Sequence, residues 1–158
     1  MNIAALLQKK GSAVVTVKPK ATIAETVDQL RKHRIGCVVV SSDGKHIDGL
    51  VAVRDIAYAM AERGVKLRRE TFADILDAPI TRIMTREVRT CGKQNTLRQV
   101  MTEMTRHHIL HVPVVENGEI CGIVSNDDVV KYAVEEMDLG RSVLQDSVMA
   151  LRTLRDTE

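Results

Sequence analysis

The sequence predicts an α/β fold: two pseudo-symmetric β-α-β-β-α repeats packed as one module, followed by a C-terminal helix. Three observations carry that prediction. The chain repeats itself at a spacing of 74 residues. Within each copy, a stretch with apolar positions three and four apart alternates with short β-branched runs closed by glycine turns. The 158 residues are 44% hydrophobic and 28% charged, an ordinary balance for a compact soluble domain.

The entrance segments come first. Ile3, Leu6 and Leu7 match Ile80, Ile83 and Met84 in pattern, and a short strand is expected after each, over Val14 to Val17 and Arg89 to Cys91. The first long helix starts at Thr22-Ile23 and its counterpart at Thr96-Leu97. Val27 falls on Met101, Leu30 on Met104 and His33 on His107, so both are amphipathic. Each threonine suits an N-cap, because its hydroxyl accepts from a backbone N–H of the first turn.

Apolar runs follow, Ile35 to Val40 and Val112 to Val115. Ser42-Asp43-Gly44 and Glu116-Asn117-Gly118 then signal hairpins. The returning strands are Ile47 to Val51 and Ile120 to Val124. One extra residue in the first hairpin shortens the offset to 73, placing Gly49 on Gly122 and Asp55 on Asp128. A closing helix runs from about Arg54 to Arg63, and from about Asn126 to Met137. The division is therefore 1–63 for the first repeat, 64–79 for a charged connector with a helical turn at Phe72 to Leu76, and 80–137 for the second repeat. A tail, 138–158, carries Val143, Leu144, Val148, Leu151 and Leu154 at helical spacing. Either copy alone, about 60 residues, would be marginal, so the two are expected to share one core.

Composition narrows the function. Aromatics are 2% of the chain, which argues against a base-stacking platform for single strands. A net charge of +2 gives no electrostatic case for nucleic acid or a membrane surface. No apolar run approaches the roughly 20 residues of a spanning helix. The N-terminal stretch has its apolar part before its charge and is too short for a secretory signal. Cys37, Cys91 and Cys121 form no C-x-x-C pair; they read as small buried hydrophobes, and free thiols fit a reducing cytoplasm. His107, His108 and His111 form H-H-x-x-H, but they straddle a helix end and a strand start with no cysteine or carboxylate to complete a zinc set. There is no P-loop, nucleophile elbow or dinucleotide fingerprint, so catalysis is not expected.

Gly49-Leu50-Val51-Ala52-Val53-Arg54-Asp55-Ile56 and Gly122-Ile123-Val124-Ser125-Asn126-Asp127-Asp128-Val129, with His111-Val112-Pro113-Val114-Val115, Ile83-Met84-Thr85 and the Thr-Ile and Thr-Leu helix starts, resemble a tandem pair of CBS domains. The resemblance runs from Ile3 to about Met137. It implies two CBS repeats, a non-catalytic sensor, a homodimer and an adenosine ligand between the halves. AMP is the first expectation, with ATP, ADP, NAD or S-adenosylmethionine as alternatives, and a protein partner to read occupancy.

The resemblance also assigns roles. Asp55 and Asp128 would take ribose hydroxyls, since a carboxylate accepts two at once. Ser125 would meet phosphate, while Ala52 stands in its place in the first copy. Ser125-x-x-Asp128 is equally a capping box that needs no ligand. Arg54 offers a phosphate contact where the second copy has Asp127. His111, two residues before Pro113, stands where relatives direct a cation to phosphate, and Cys37 holds the equivalent place. Thr16 and Thr90 match positions that touch adenine or ribose, although strand packing accounts for them too. The glycines would let backbone approach the ligand. The competing expectation is a dimeric interaction scaffold that works without a ligand.

Overall fold

A computed structural model describes residues 1–66, 72–138 and 141. Its elements are α1 (Ile3–Lys10), β1 (Thr16–Val17), α2 (Ile23–His33), β2 (Cys37–Val40), β3 (Gly49–Ala52), α3 (Val53–Lys66), α4 (Phe72–Leu76), α5 (Leu97–His107), β4 (His111–Glu116), β5 (Glu119–Ser125) and α6 (126–138). Between α4 and α5, Ile80–Arg82 makes a single 3₁₀ turn. The tail stripe from Val143 to Leu154 lies outside the described residues.

Local chemistry sets the long helices as expected. Thr22 and Thr96 each accept from the backbone N–H three residues on, and Glu25 and Gln99 reach back to the threonine N–H. Two reciprocal capping boxes therefore start α2 and α5 at equivalent places. Both helices end on a left-handed residue, Arg34 (φ 52°) and His108 (φ 53°), which turns the chain directly into a strand.

The first sheet has order β1-β2-β3, with β1 parallel and β3 antiparallel to β2, and Val38, Val39 and Val40 buried at its centre. In the second half β4 pairs antiparallel with β5, and the expected entrance strand shrinks to one parallel bridge, Cys91 to Val114. The two turns also differ. Asn117 (φ 52°) and Gly118 (φ 83°) both take left-handed backbone, which matches the twist of a tight hairpin. In the first half the connection is longer and β3 starts only at Gly49. There Asp43 accepts from the N–H of Lys45 and of His46, and Asp48 accepts from Ser42, so side chains hold the loop.

The expectation of one shared core is corrected: the buried residues form two clusters, one per half. What joins the halves is an exchange of entrance segments. Ile3, Leu6 and Leu7 of α1 pack into the second cluster with Val100, Met104 and Val124, while Ala78, Ile80 and Met84 pack into the first with Ile23, Val38 and Val51. The backbone repeats the exchange. Ile3 N–H donates to Asn95 O at 2.9 Å and Ile80 N–H to Ala21 O at 2.8 Å; Leu97 N–H donates to Met1 O at 3.1 Å and Ile23 N–H to Ala78 O at 2.9 Å.

Candidate functional site

Two clefts open where the halves meet. The larger, about 360 Å³, has Val14, Val15 and the Arg34–Cys37 segment of the first half on one side and Leu110, His111, Ile123 and Ser125–Asp127 of the second on the other, with Lys10 also in its wall. The smaller, about 210 Å³, sets Ala52, Val53, Arg54 and Asp55 against Thr85, Ile109, Leu110 and His111. Small-molecule pockets occupy roughly 300–1,000 Å³, so of these two clefts the larger reaches that range and the smaller falls short of it. A hollow of about 610 Å³ lies elsewhere, between α2, α3 and α4; its walls are aliphatic apart from Phe72 and Arg31, so it has little with which to orient a polar ligand.

Gly36, Leu110 and His111 line both clefts and so form the partition between them. A Cβ on Gly36 would fall 2.9 Å from His111 Nε2, so the glycine is what admits the imidazole against the opposing backbone. Burial pushes the His111 pKa below its ordinary value; Asp127 and Asp128 pull it up, and Lys10 and Arg54 press it down. The ring is therefore neutral at pH 7 and offers one donor and one acceptor rather than a fixed cation.

The helix starts place the carboxylates. Val53 N–H donates to Gly36 O at 3.0 Å and Asn126 N–H to Leu110 O at 2.8 Å, fixing α3 and α6 equivalently on the partition. Asp55 lines the smaller cleft, and its Oδ2 accepts the Ala52 N–H at 2.8 Å. Asp128 is more heavily engaged. Its Oδ2 accepts from Ser125 N–H at 2.8 Å, Ser125 Oγ at 2.7 Å and Lys10 Nζ at 2.5 Å, and its own N–H donates to Ser125 Oγ at 3.2 Å. The capping arrangement that the sequence allowed is thus formed. Burial raises the Asp128 pKa, but the bonds from Lys10 and Ser125 outweigh it and hold the carboxyl below its usual value.

The remaining residues singled out in the sequence divide. Ser125 and Cys37 line the larger cleft and Arg54 the smaller. Arg54 Nη1 donates to the His108 carbonyl at 3.0 Å. Burial pushes the Cys37 thiol up to about 12, so it serves as apolar wall. Thr16 and Thr90 are exposed on the entrance segments, outside the walls of both clefts, and Pro113 is buried in β4, where its carbonyl accepts from Cys91 N–H. The glycine reading is corrected: a Cβ on Gly49 would strike Met84 Sδ at 2.6 Å, and one on Gly122 would strike Leu7 at 2.7 Å. These glycines admit the exchanged entrance segments, not a ligand. His107 lies 3.3 Å from Glu103, and among the described residues no group of three His, Cys, Asp or Glu side chains could hold a metal.

Lys10 and Arg34 were missed by sequence reasoning. Arg34 had a local signal, since it stands between an amphipathic helix and a β-branched run, where a left-handed cap belongs. Lys10 had none: its partner lies 118 residues away.

A family model described as the CBS domain matches residues 11–62 and 80–135. The fold is similar to a CBS-domain containing protein of Agrobacterium tumefaciens, with a TM-score of 0.76 and 38% identity over 84% of this chain and 99% of that one. It is also similar to a CBS domain protein of Pyrobaculum aerophilum complexed with AMP, with a TM-score of 0.67 and 30% identity over 81% and 89% of the two chains. The CBS domain-containing protein YhcV of Bacillus subtilis is 27% identical over 124 residues, covering 78% of this chain and 79% of that protein.

Proposed function

The chain belongs to the CBS-domain family and carries the domain twice, and on that premise we propose that it is a non-catalytic sensor that binds AMP in the larger cleft and passes occupancy to a partner protein. The observation that carries this reading is the composition of that cleft. It joins an apolar wall (Val14, Val15, Cys37) to a histidine and two cations, Lys10 and Arg34, with the Asp128 carboxylate bonded to Ser125 and Lys10 of the same wall. Those are the groups that a base, a phosphate and a ribose diol respectively require. The AMP complex of the Pyrobaculum protein supports the choice of ligand. Because the walls come from both halves, a ligand that binds one relative orientation better shifts the population toward it, which is what a partner would read.

We place the protein in the cytoplasm as a homodimer. Among the described residues no helix is long and apolar enough to cross a membrane. Val27, Val53, Met101, Val130 and Val134 are exposed along the outer helices, a surface suited to a second copy. The same surface favours a second reading, a dimeric scaffold that acts without a ligand.

Thermal unfolding with AMP, ADP, ATP, NAD and S-adenosylmethionine separates the two. A ligand that binds only the folded chain at a hundred times its Kd stabilises it by about 2.7 kcal/mol. AMP is expected to give the largest rise in Tm. No rise with any of the five at millimolar concentration overturns the sensor reading and leaves the scaffold.

A further inference from the structure

Asp55 and Asp128 occupy equivalent places in the two repeats, yet only Asp55 lines its cleft. Two side chains set them apart: Ser125, where the first repeat has Ala52, and Lys10. Asp128 Oδ2 already holds three donors, two from Ser125 and one from the Lys10 ammonium. Two of these belong to the start of α6 and are locally fixed. The third arrives from the last residue of α1, where Lys10 Nζ also donates to Ile123 O at 2.9 Å. Lys10 and Ser125 line the cleft, and the carboxylate sits behind them with its side chain 17% exposed.

An oxygen with three donors has no room for a fourth. A sugar diol that sets one hydroxyl on each carboxylate oxygen of Asp128 must therefore displace the one movable donor on Oδ2, the Lys10 ammonium. That side chain is 23% exposed, so the displaced charge stays partly desolvated and needs an anion. Asp127 lines the same cleft and is one candidate. The other is a phosphate on the ligand itself.

Resting on the assignment of this cleft to an adenosine ligand, we propose that Lys10 is its specificity-determining residue, which shuts Asp128 to an uncharged nucleoside and yields it to a nucleotide whose phosphate takes over the ammonium. The exchange swaps one charge-assisted contact for another, whereas adenosine would break the ion pair, give the carboxylate neutral hydroxyls and bring the ammonium no anion of its own. Selection of the phosphorylated ligand would then arise from a residue of the opposite entrance segment, and ligand binding would move the end of α1.

The test is calorimetric titration of the full chain with AMP and with adenosine, in the wild type and in Lys10→Met, Lys10→Gln and Lys10→Arg. The wild type is expected to prefer AMP by at least about tenfold, the range of one charge-assisted contact. In Lys10→Met or Lys10→Gln, whichever folds with a cooperative melt, the ratio is expected to collapse to within about threefold, while Lys10→Arg keeps it. A ratio unchanged by Lys10→Met and Lys10→Gln, as when the ammonium simply turns to Asp127, overturns the proposal while leaving the cleft assignment intact. A wild type that binds neither compound overturns the assignment, and the proposal with it.

Discussion

Gly122 and Leu7 meet across the two halves: a Cβ on Gly122 would stand 2.7 Å from both terminal methyl carbons of Leu7. Gly49 and Met84 repeat the relationship at 2.6 Å. Each glycine therefore keeps open the seat of an entrance segment that belongs, in sequence, to the other repeat. Gly122→Ala is expected to destabilise the protein by about 1–3 kcal/mol, the range for overpacking a close-packed core. Leu7→Ala alone is expected to cost about 2–5 kcal/mol. The double variant should be less damaged than the two changes added, by more than about 0.5 kcal/mol, because the smaller residue makes room for the new methyl. Urea unfolding of the four proteins measures the coupling; strict additivity would mean that the two residues do not press on each other.

The capping boxes predict matched losses in the two halves. Thr22→Ala and Thr96→Ala each remove a side-chain acceptor from a helix start and are expected to cost about 1 kcal/mol. Serine at either place keeps the hydroxyl and should recover most of it. Chemical denaturation of the alanine and serine variants checks this, and a serine variant as weak as its alanine counterpart would show that the threonine methyl matters instead.

His111 predicts a pH dependence with a definite sign. Burial favours its neutral form, so its pKa in the folded chain lies below the ordinary 6.5. The unfolded chain then binds more protons in that window, and the contribution of His111 to stability falls as pH drops through about 6.5 toward the folded value. His46 works in the opposite sense, since its hydrogen bond to Asp43 raises its pKa. The quantity to measure is therefore the difference between the wild type and His111→Gln. That difference is expected to shift against the wild type between pH 7.5 and 5.5; a difference independent of pH would mean that the ring is not held neutral.

Most of the local structure was legible in the sequence, and the reason is that it is local. Threonine caps, three-and-four periodicity and the Asn117-Gly118 turn are set by residues within a few positions of each other. The limits are as instructive. The first turn is lengthened by Asp43 and Asp48, whose side chains bond to nearby N–H groups and delay β3 to Gly49. The exchange of entrance segments depends on Ile3 meeting Asn95 and Ile80 meeting Ala21, contacts that no window of the sequence contains. The duplicated pattern showed that Leu7 and Met84 are equivalent, but not that each sits on the other repeat's glycine. The candidate site divides the same way. The Ser125–Asp128 capping contact was legible from spacing, whereas Lys10, which bonds to the same carboxylate, comes from the far end of the chain.

The larger cleft as a nucleotide site, with Asp128 as its sugar acceptor, is tested most directly by a crystal structure of the protein grown with AMP. The expected result is nucleotide density between Val15 and His111, with the ribose hydroxyls on Asp128 and the Lys10 ammonium moved from that carboxylate to the phosphate. Density absent from this cleft at millimolar AMP, or a nucleotide bound with the Lys10–Asp128 pair intact and the sugar elsewhere, would contradict it.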